Sequence, residues 1–445
     1  MLTIPSTTRR RFLHCALAAG MVAGRGRRVA AGPFDTANEK IQKARQAALT
    51  CLAPSNRDLE HGLRLHAESV VFDSYAFAPR AAIHAATINA AVEARVSAEE
   101  LVDLREELMM TRMAIDAAER AEFLEAFRAS GVTCLFQNAG EEGNDTLRLL
   151  KRLSRFTFAT DEMRDVMPKA LSPDDVIAAK RAGRVCLALT TNGVPLPHQW
   201  QSVADELRHI RLFRQLGVRM MHLTYNRRNP LGDGCGEPND GGVSDFGKSA
   251  IAEMNRLGVI VDVAHSGWRT SKEAAQASSK PMVASHTTCL TLQHHVRAKP
   301  DDTIRAICDT GGLIGICCIG KFLGGAGDLK AFLDHIDYAV KKFGAEHVAI
   351  GTDIAYVSRN DEAERKKLRE LPGGRSPLGV GPRWEHLWPK DDVKLLPGER
   401  ESLAWTNWPL FTVGLVQRGH SDDTIRKILG ENMLRVWRGN EVSKT

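Results

Sequence analysis

Eight short apolar runs, separated by amphipathic stretches, confine this chain to folds built on a parallel sheet. The runs lie at Ser69–Phe72, Thr133–Gln137, Val185–Leu189, Met220–Leu223, Val259–Ala264, Met282–Ser285, Leu313–Cys318 and His347–Gly351. Strands covered by helices on both faces read as near-continuous hydrophobic runs rather than alternating ones. Between them, Asp205–Leu216 carries helical spacing, Phe246–Leu257 ends at the helix-stopping Gly258, and Asp301–Thr310 ends before Gly311. Eight strands with helical crossovers predict an α/β fold of the (β/α)8 TIM-barrel type. A doubly wound open sheet is the rival, and no glycine-rich phosphate loop follows the first strand to support it. A helical insertion is expected at 78–130, with Ser97 capping an acidic turn, and a long, charged loop at Ser358–Leu403 after the eighth strand. The Gly/Asn/Asp/Pro-rich stretch Asn226–Val243 reads as an active-site-face loop after the fourth.

Two of the runs close on histidine, at His265 and His286. In a parallel barrel the chemistry sits at the C-terminal ends of strands, and neutral imidazole is the commonest metal ligand. The alternative for each is a hydrogen-bonded, partly buried side chain; the repeated placement favours a shared site.

Hydrophobic residues at 43% and charged residues at 26% are the composition of a soluble globular protein. A net charge of +6 on 445 residues offers no argument for nucleic acid. The N-terminus differs from the rest. TRRRFL at 8–13 resembles a twin-arginine export signal, and the apolar stretch Cys15–Gly24 follows it. Those ten residues are too short for a membrane-spanning helix, which needs about 20. Residues 1–31 are therefore expected to be a signal peptide and 32–445 a single exported, periplasmic domain without a stable membrane span. The nine cysteines include no CxxC pair, and Cys134, Cys186, Cys317 and Cys318 read as small buried hydrophobes.

Several segments, in order, resemble the renal (membrane) dipeptidase family of zinc metallopeptidases. They are GKSAIAEMNRLGVIVDVAHS at 247–266, ASHT at 284–287, RAKPDD at 297–302, GTD at 351–353 and RGHSDDTIRKILGENMLRV at 418–436. The resemblance implies a barrel with two zinc ions at its mouth, hydrolysing dipeptides by a metal-activated water. It implies His265 and His286 as metal ligands and Asp353 as the eighth-strand acid that handles the water. It implies Arg297 as the group that grips the substrate carboxylate, and a homodimer as the assembly. A loop cap for Asp353 and a surface ion pair for Arg297 are the plain alternatives.

Other family positions are altered. Where the first strand should offer Asp-Gly-His-x-Asp, the chain has Asp73, Ser74, Tyr75, Ala76 and Phe77. Thr191 stands for the bridging glutamate after the third strand, and Tyr225 for a substrate-contacting histidine after the fourth. One carboxylate and two imidazoles cannot offset two divalent ions, since uncompensated buried charge costs several kcal/mol per ion. One zinc ion is therefore expected, held by His265, His286 and Asp353. Tyr75 is then a candidate acid or oxyanion donor, Tyr225 a substrate contact, and Asp73 a carboxylate that orients a ligand histidine. The competing reading is an inactive, dipeptidase-like binding protein that keeps Arg297.

Overall fold

The crossover helices are delimited by the residues at their ends. Ser244 accepts from the Gly247 amide to start the helix Asp245–Leu257, and Gly258 closes it with φ at 71°. Ser97 and Glu100 form a reciprocal capping box at the start of Ala98–Ile115. The computed structural model describes residues 32–140, 145–371, 376–378 and 399–442. The expected signal peptide and positions 379–398 of the loop after the eighth strand lie outside the described residues.

The strands are β1 (Phe72–Ala76), β2 (Cys134–Asn138), β3 (Cys186–Thr191) and β4 (Val218–His222), followed by β5 (Ile260–Asp262), β6 (Val283–Thr287), β7 (Leu313–Ile316) and β8 (Val348–Ile350). Each pairs in parallel with the next, in sequential order. Past the last ladder, the Asp353 amide donates to Tyr75 O at 3.0 Å and the Phe77 amide to Ile354 O at 3.3 Å, bringing β8 back to β1. The fold is a (β/α)8 barrel of TIM type. The 78–130 insertion supplies the helices Ala85–Glu93, Ala98–Ile115 and Ala117–Ser130.

β1 starts where the sequence placed its end. The Ser69 amide bonds back to Leu65 O and His66 O and so caps the preceding helix, Asn56–Glu68. The strand instead takes in Asp73 and Ser74, both fully buried. Ser74 Oγ contacts Ser285 O at 2.7 Å and Ile350 O at 3.0 Å across the barrel interior. This approach needs glycine opposite: a Cβ on Gly315 or Gly351 would meet Ser74 Oγ at 2.5 or 2.6 Å.

Inside the barrel, Phe72, Phe136, Met220, Ile260, Val283 and Leu313 form an apolar core. Trp437, from the C-terminal helix Asn432–Asn440, packs on it with ring centres 6.1 Å from Phe72 and 5.2 Å from Phe136. That plug leaves the opposite, C-terminal mouth for polar side chains. The eight described cysteines are all free.

Candidate active site at the barrel mouth

His265 lies in the turn after β5, and His286 is the fourth residue of β6. Their Nε2 atoms approach to 2.8 Å and their ring centres to 4.8 Å. His265 Nδ1 sits 2.7 Å from Asn226 Oδ1, and His286 Nδ1 sits 2.9 Å from Ser285 Oγ. With an amide oxygen as its partner, His265 Nδ1 carries the proton and Nε2 the lone pair. Both rings are buried. Burial, reinforced by the nearby Arg297 charge, holds both well below the ordinary imidazole pKa. They are neutral at neutral pH, the form in which imidazole binds a metal.

The other candidates gather around this pair, except where noted. Tyr75 stacks on His286 with ring centres 3.8 Å apart, and its hydroxyl donates to Asn192 Oδ1 at 2.7 Å. Tyr225 stacks on His265 at 4.2 Å. Arg297 is 2% exposed, so it is no surface ion pair. It donates to Ala264 O and, at 3.2 Å, to His286 O, joining the ends of β5 and β6, and its Nη2 lies 3.4 Å from His265 Nε2. Asp353 adopts a left-handed backbone with φ at 57°; the residue is partly exposed at the mouth, but its carboxyl is enclosed by protein. Burial raises its carboxyl pKa to about 7, opposed by the Arg297 charge. Asp73 does not orient a histidine. Its carboxylate accepts from the Thr352 amide at 2.9 Å, the Thr352 hydroxyl at 2.6 Å and the Trp405 indole at 3.2 Å. Burial nevertheless pushes its pKa to about 7. Phe77 stands edge-on to Tyr75 at 5.9 Å, and the Thr191 hydroxyl turns back to Gly193 O at 2.6 Å.

The sequence reading missed four residues of this cluster. Asn226 and Asn192 fix His265 and Tyr75 as described above. His222 and Asp262 are register partners on β4 and β5, both fully buried, with Nε2 and Oδ2 2.6 Å apart. Polar side chains inside two otherwise apolar runs were the available signal. Burial works to raise the Asp262 pKa, but the His222 charge and Ser285 outweigh it, leaving the carboxyl below its usual range. His222, Asp262 and His286 offer donor atoms that all lie within 4.8 Å of one another. His265 and Asp353 lie outside that trio, His265 meeting it through its 2.8 Å contact with His286.

These donors suit a divalent ion. Two imidazoles on one tetrahedral zinc have nitrogens about 3.3 Å apart, so His265 and His286 need to part by about 0.5 Å. Beside the site, a cavity of about 440 Å³ is lined by Cys318, Lys321, Ile354, Tyr356 and Trp405. Neither histidine lines it.

The model of the membrane dipeptidase family (peptidase family M19) matches residues 59–364. The chain belongs to the membrane dipeptidase family. An uncharacterized dipeptidase of Schizosaccharomyces pombe is 29% identical over 279 residues, covering 60% of this chain and 56% of that protein. The dipeptidase verJ of Clonostachys rogersoniana is 28% identical over 275 residues, covering 61% and 60%. The match thus spans under two thirds of either relative's length. An amidohydrolase structure from Pseudomonas aeruginosa superposes with a TM-score of 0.61 at 24% identity, covering 85% of this chain and 98% of that one. That likeness is one of fold. Among the described residues, this membrane dipeptidase family member has no helix long and apolar enough to cross a membrane.

Proposed function

We propose that this chain is an exported, metal-dependent hydrolase that cleaves the peptide bond of dipeptides or related small amides at the barrel mouth. The observation that carries the reading is the convergence of two buried, neutral imidazoles, Nε2 to Nε2 at 2.8 Å, beneath a buried arginine in a dipeptidase-family barrel. His265 and His286 are the residues that would hold one zinc ion, with Asp353 kept at the mouth for proton handling. The chemistry such an ion supplies is Lewis acidity toward a carbonyl oxygen and acidification of water toward neutrality.

The chain's own groups account for the remaining work. A carboxyl with a pKa of about 7 is half ionised near neutral pH, which suits Asp353 to take a proton from water and return it to a leaving amine. Arg297 supplies a fixed positive charge to a substrate carboxylate; its two terminal nitrogens already donate to backbone carbonyls, which holds the guanidinium still. Tyr225 and Phe77, both partly exposed, offer aromatic surface to a small substrate. The twin-arginine segment directs folded export to the periplasm.

A non-catalytic binding protein is the second reading, favoured by the direct contact of the two imidazoles and the Tyr75 ring packed on one of them. The full chain, purified without a metal-capturing tag, separates the two. Near one zinc per chain and metal-restored cleavage of a dipeptide panel are expected. Zinc well below one equivalent, with no turnover on adding metal, refutes the hydrolase.

A further inference from the structure

The donor set named above leaves His222 and Asp262 unexplained. Both are fully buried inside the barrel, where an unpaired polar group costs free energy. His222 Nε2 and Asp262 Oδ2 lie 2.6 Å apart, yet neither is aligned for a hydrogen bond, and His222 Nδ1 has no hydrogen-bond partner among the described residues. The other oxygen of Asp262 is held firmly, by the Ala264 amide at 2.9 Å and the Ser285 amide at 3.0 Å. The carboxylate is thus fixed through one oxygen, while the other has only its unaligned 2.6 Å approach to His222. Two close, unaligned donor atoms with a His286 nitrogen within 4.8 Å fit ligands of a common ion.

The rings agree with that. The centres of His222, His265 and His286 form a triangle with sides of 5.2, 5.3 and 4.8 Å. Three imidazoles bound tetrahedrally at about 2.0 Å place their ring centres roughly 5 Å apart. The register explains how the chain achieves this: His222 and Asp262 pair across β4 and β5, and His286 follows one strand further on.

We propose that His222 and Asp262 replace the lost family ligands, joining His265 and His286 in a single-ion centre of three imidazoles and one carboxylate inside the barrel mouth. This deepens the hydrolase reading and rests on it for the ion's purpose, not for its existence. It also repairs the charge deficit: Asp262 as ligand and Asp353 nearby bring two carboxylates to one divalent ion. Asp353, no longer needed as a ligand, is left to handle protons.

The test loads chelator-treated full chain with Zn²⁺ or Co²⁺ alone and reads bound metal, the visible Co²⁺ spectrum and the imidazole count by X-ray absorption. Wild type is expected to bind one ion with three imidazoles. His222→Ala and His222→Gln should weaken Co²⁺ binding at least as much as loss of an outer-shell partner, about 10–100-fold, and change the spectrum. Asp262→Asn should act likewise. The spectroscopy on wild type keeps the test independent of whether a variant folds. Two imidazoles on the ion, or unchanged Co²⁺ affinity in folded His222→Gln, overturns the proposal while leaving the hydrolase reading intact. A His222-dependent ion without dipeptide turnover supports this centre and refutes the hydrolase instead. No binding at all overturns both.

Discussion

Tyr75→Phe is the sharpest probe of how this site is held. The ring stays: its packing on His286, at 3.8 Å between centres, needs no hydroxyl. What is lost is one hydrogen bond, from the Tyr75 hydroxyl to Asn192 Oδ1 at 2.7 Å, between residues 1% and 4% exposed. Phenylalanine leaves that acceptor buried without its donor, a desolvation penalty of about 1–3 kcal/mol with almost no cavity term to add. The assay is urea denaturation of metal-free protein, where the midpoint should fall at unchanged slope. A double-mutant cycle with Asn192→Ala isolates the bond, and a coupling of about 0.5–3 kcal/mol is expected. Burial pushes the Tyr75 phenol well above its ordinary pKa, so it stays a donor throughout the accessible pH range. A Phe variant as stable as wild type, with zero coupling to Asn192, would refute the claim that the third-strand end positions Tyr75 through this bond.

Other outcomes follow from the same structure. Asp353 has a folded pKa of about 7, raised from its unfolded value by burial. The folded state therefore binds a proton that the unfolded state releases between about pH 4 and 7; this contribution is complete below the unfolded pKa and lost as pH rises through about 7. In chelator, Asp353→Asn should lose less Tm than wild type between pH 5 and 8; an identical loss contradicts the assignment. Restoring the family pattern with Tyr75→His, Phe77→Asp and Thr191→Glu together should raise bound zinc toward two per chain, and elemental analysis showing no gain would mean those positions do not face the site. Trp437→Ala, at the far end of the barrel, should cost about 3–5 kcal/mol in chemical denaturation while metal stoichiometry holds. A loss of metal binding in the folded variant would show that the plug and the mouth are coupled.

The barrel was legible because its strands are covered on both faces, which makes their apolar runs continuous and their turns abrupt. The boundaries were less so. β1 was misplaced because a capping serine and two buried polar residues interrupt the hydrophobic signal there, and their hydrogen-bond partners, Thr352, Ser285 and Ile350, lie more than two hundred residues away. His265 and His286 stood out because each ends its run, so a polar residue marks the boundary. His222 sat inside the Met220–Leu223 run, one residue before its end, and Asp262 in the middle of Val259–Ala264.

Both were visible as letters, and their meaning needed the pairing of β4 with β5. Register fixes which buried polar residue on one strand faces which on the next, and no single run carries that information. The physical argument nonetheless runs back to the sequence. A histidine and an aspartate buried in neighbouring apolar strands call for partners, because an unpaired buried polar or charged group carries a large desolvation penalty. Either they satisfy each other or they share a third group. Their 2.6 Å approach without hydrogen-bond alignment favours the third group. A chain whose lost ligands were simply discarded would have no reason to keep an unaligned histidine and aspartate buried as deeply as its two remaining imidazoles.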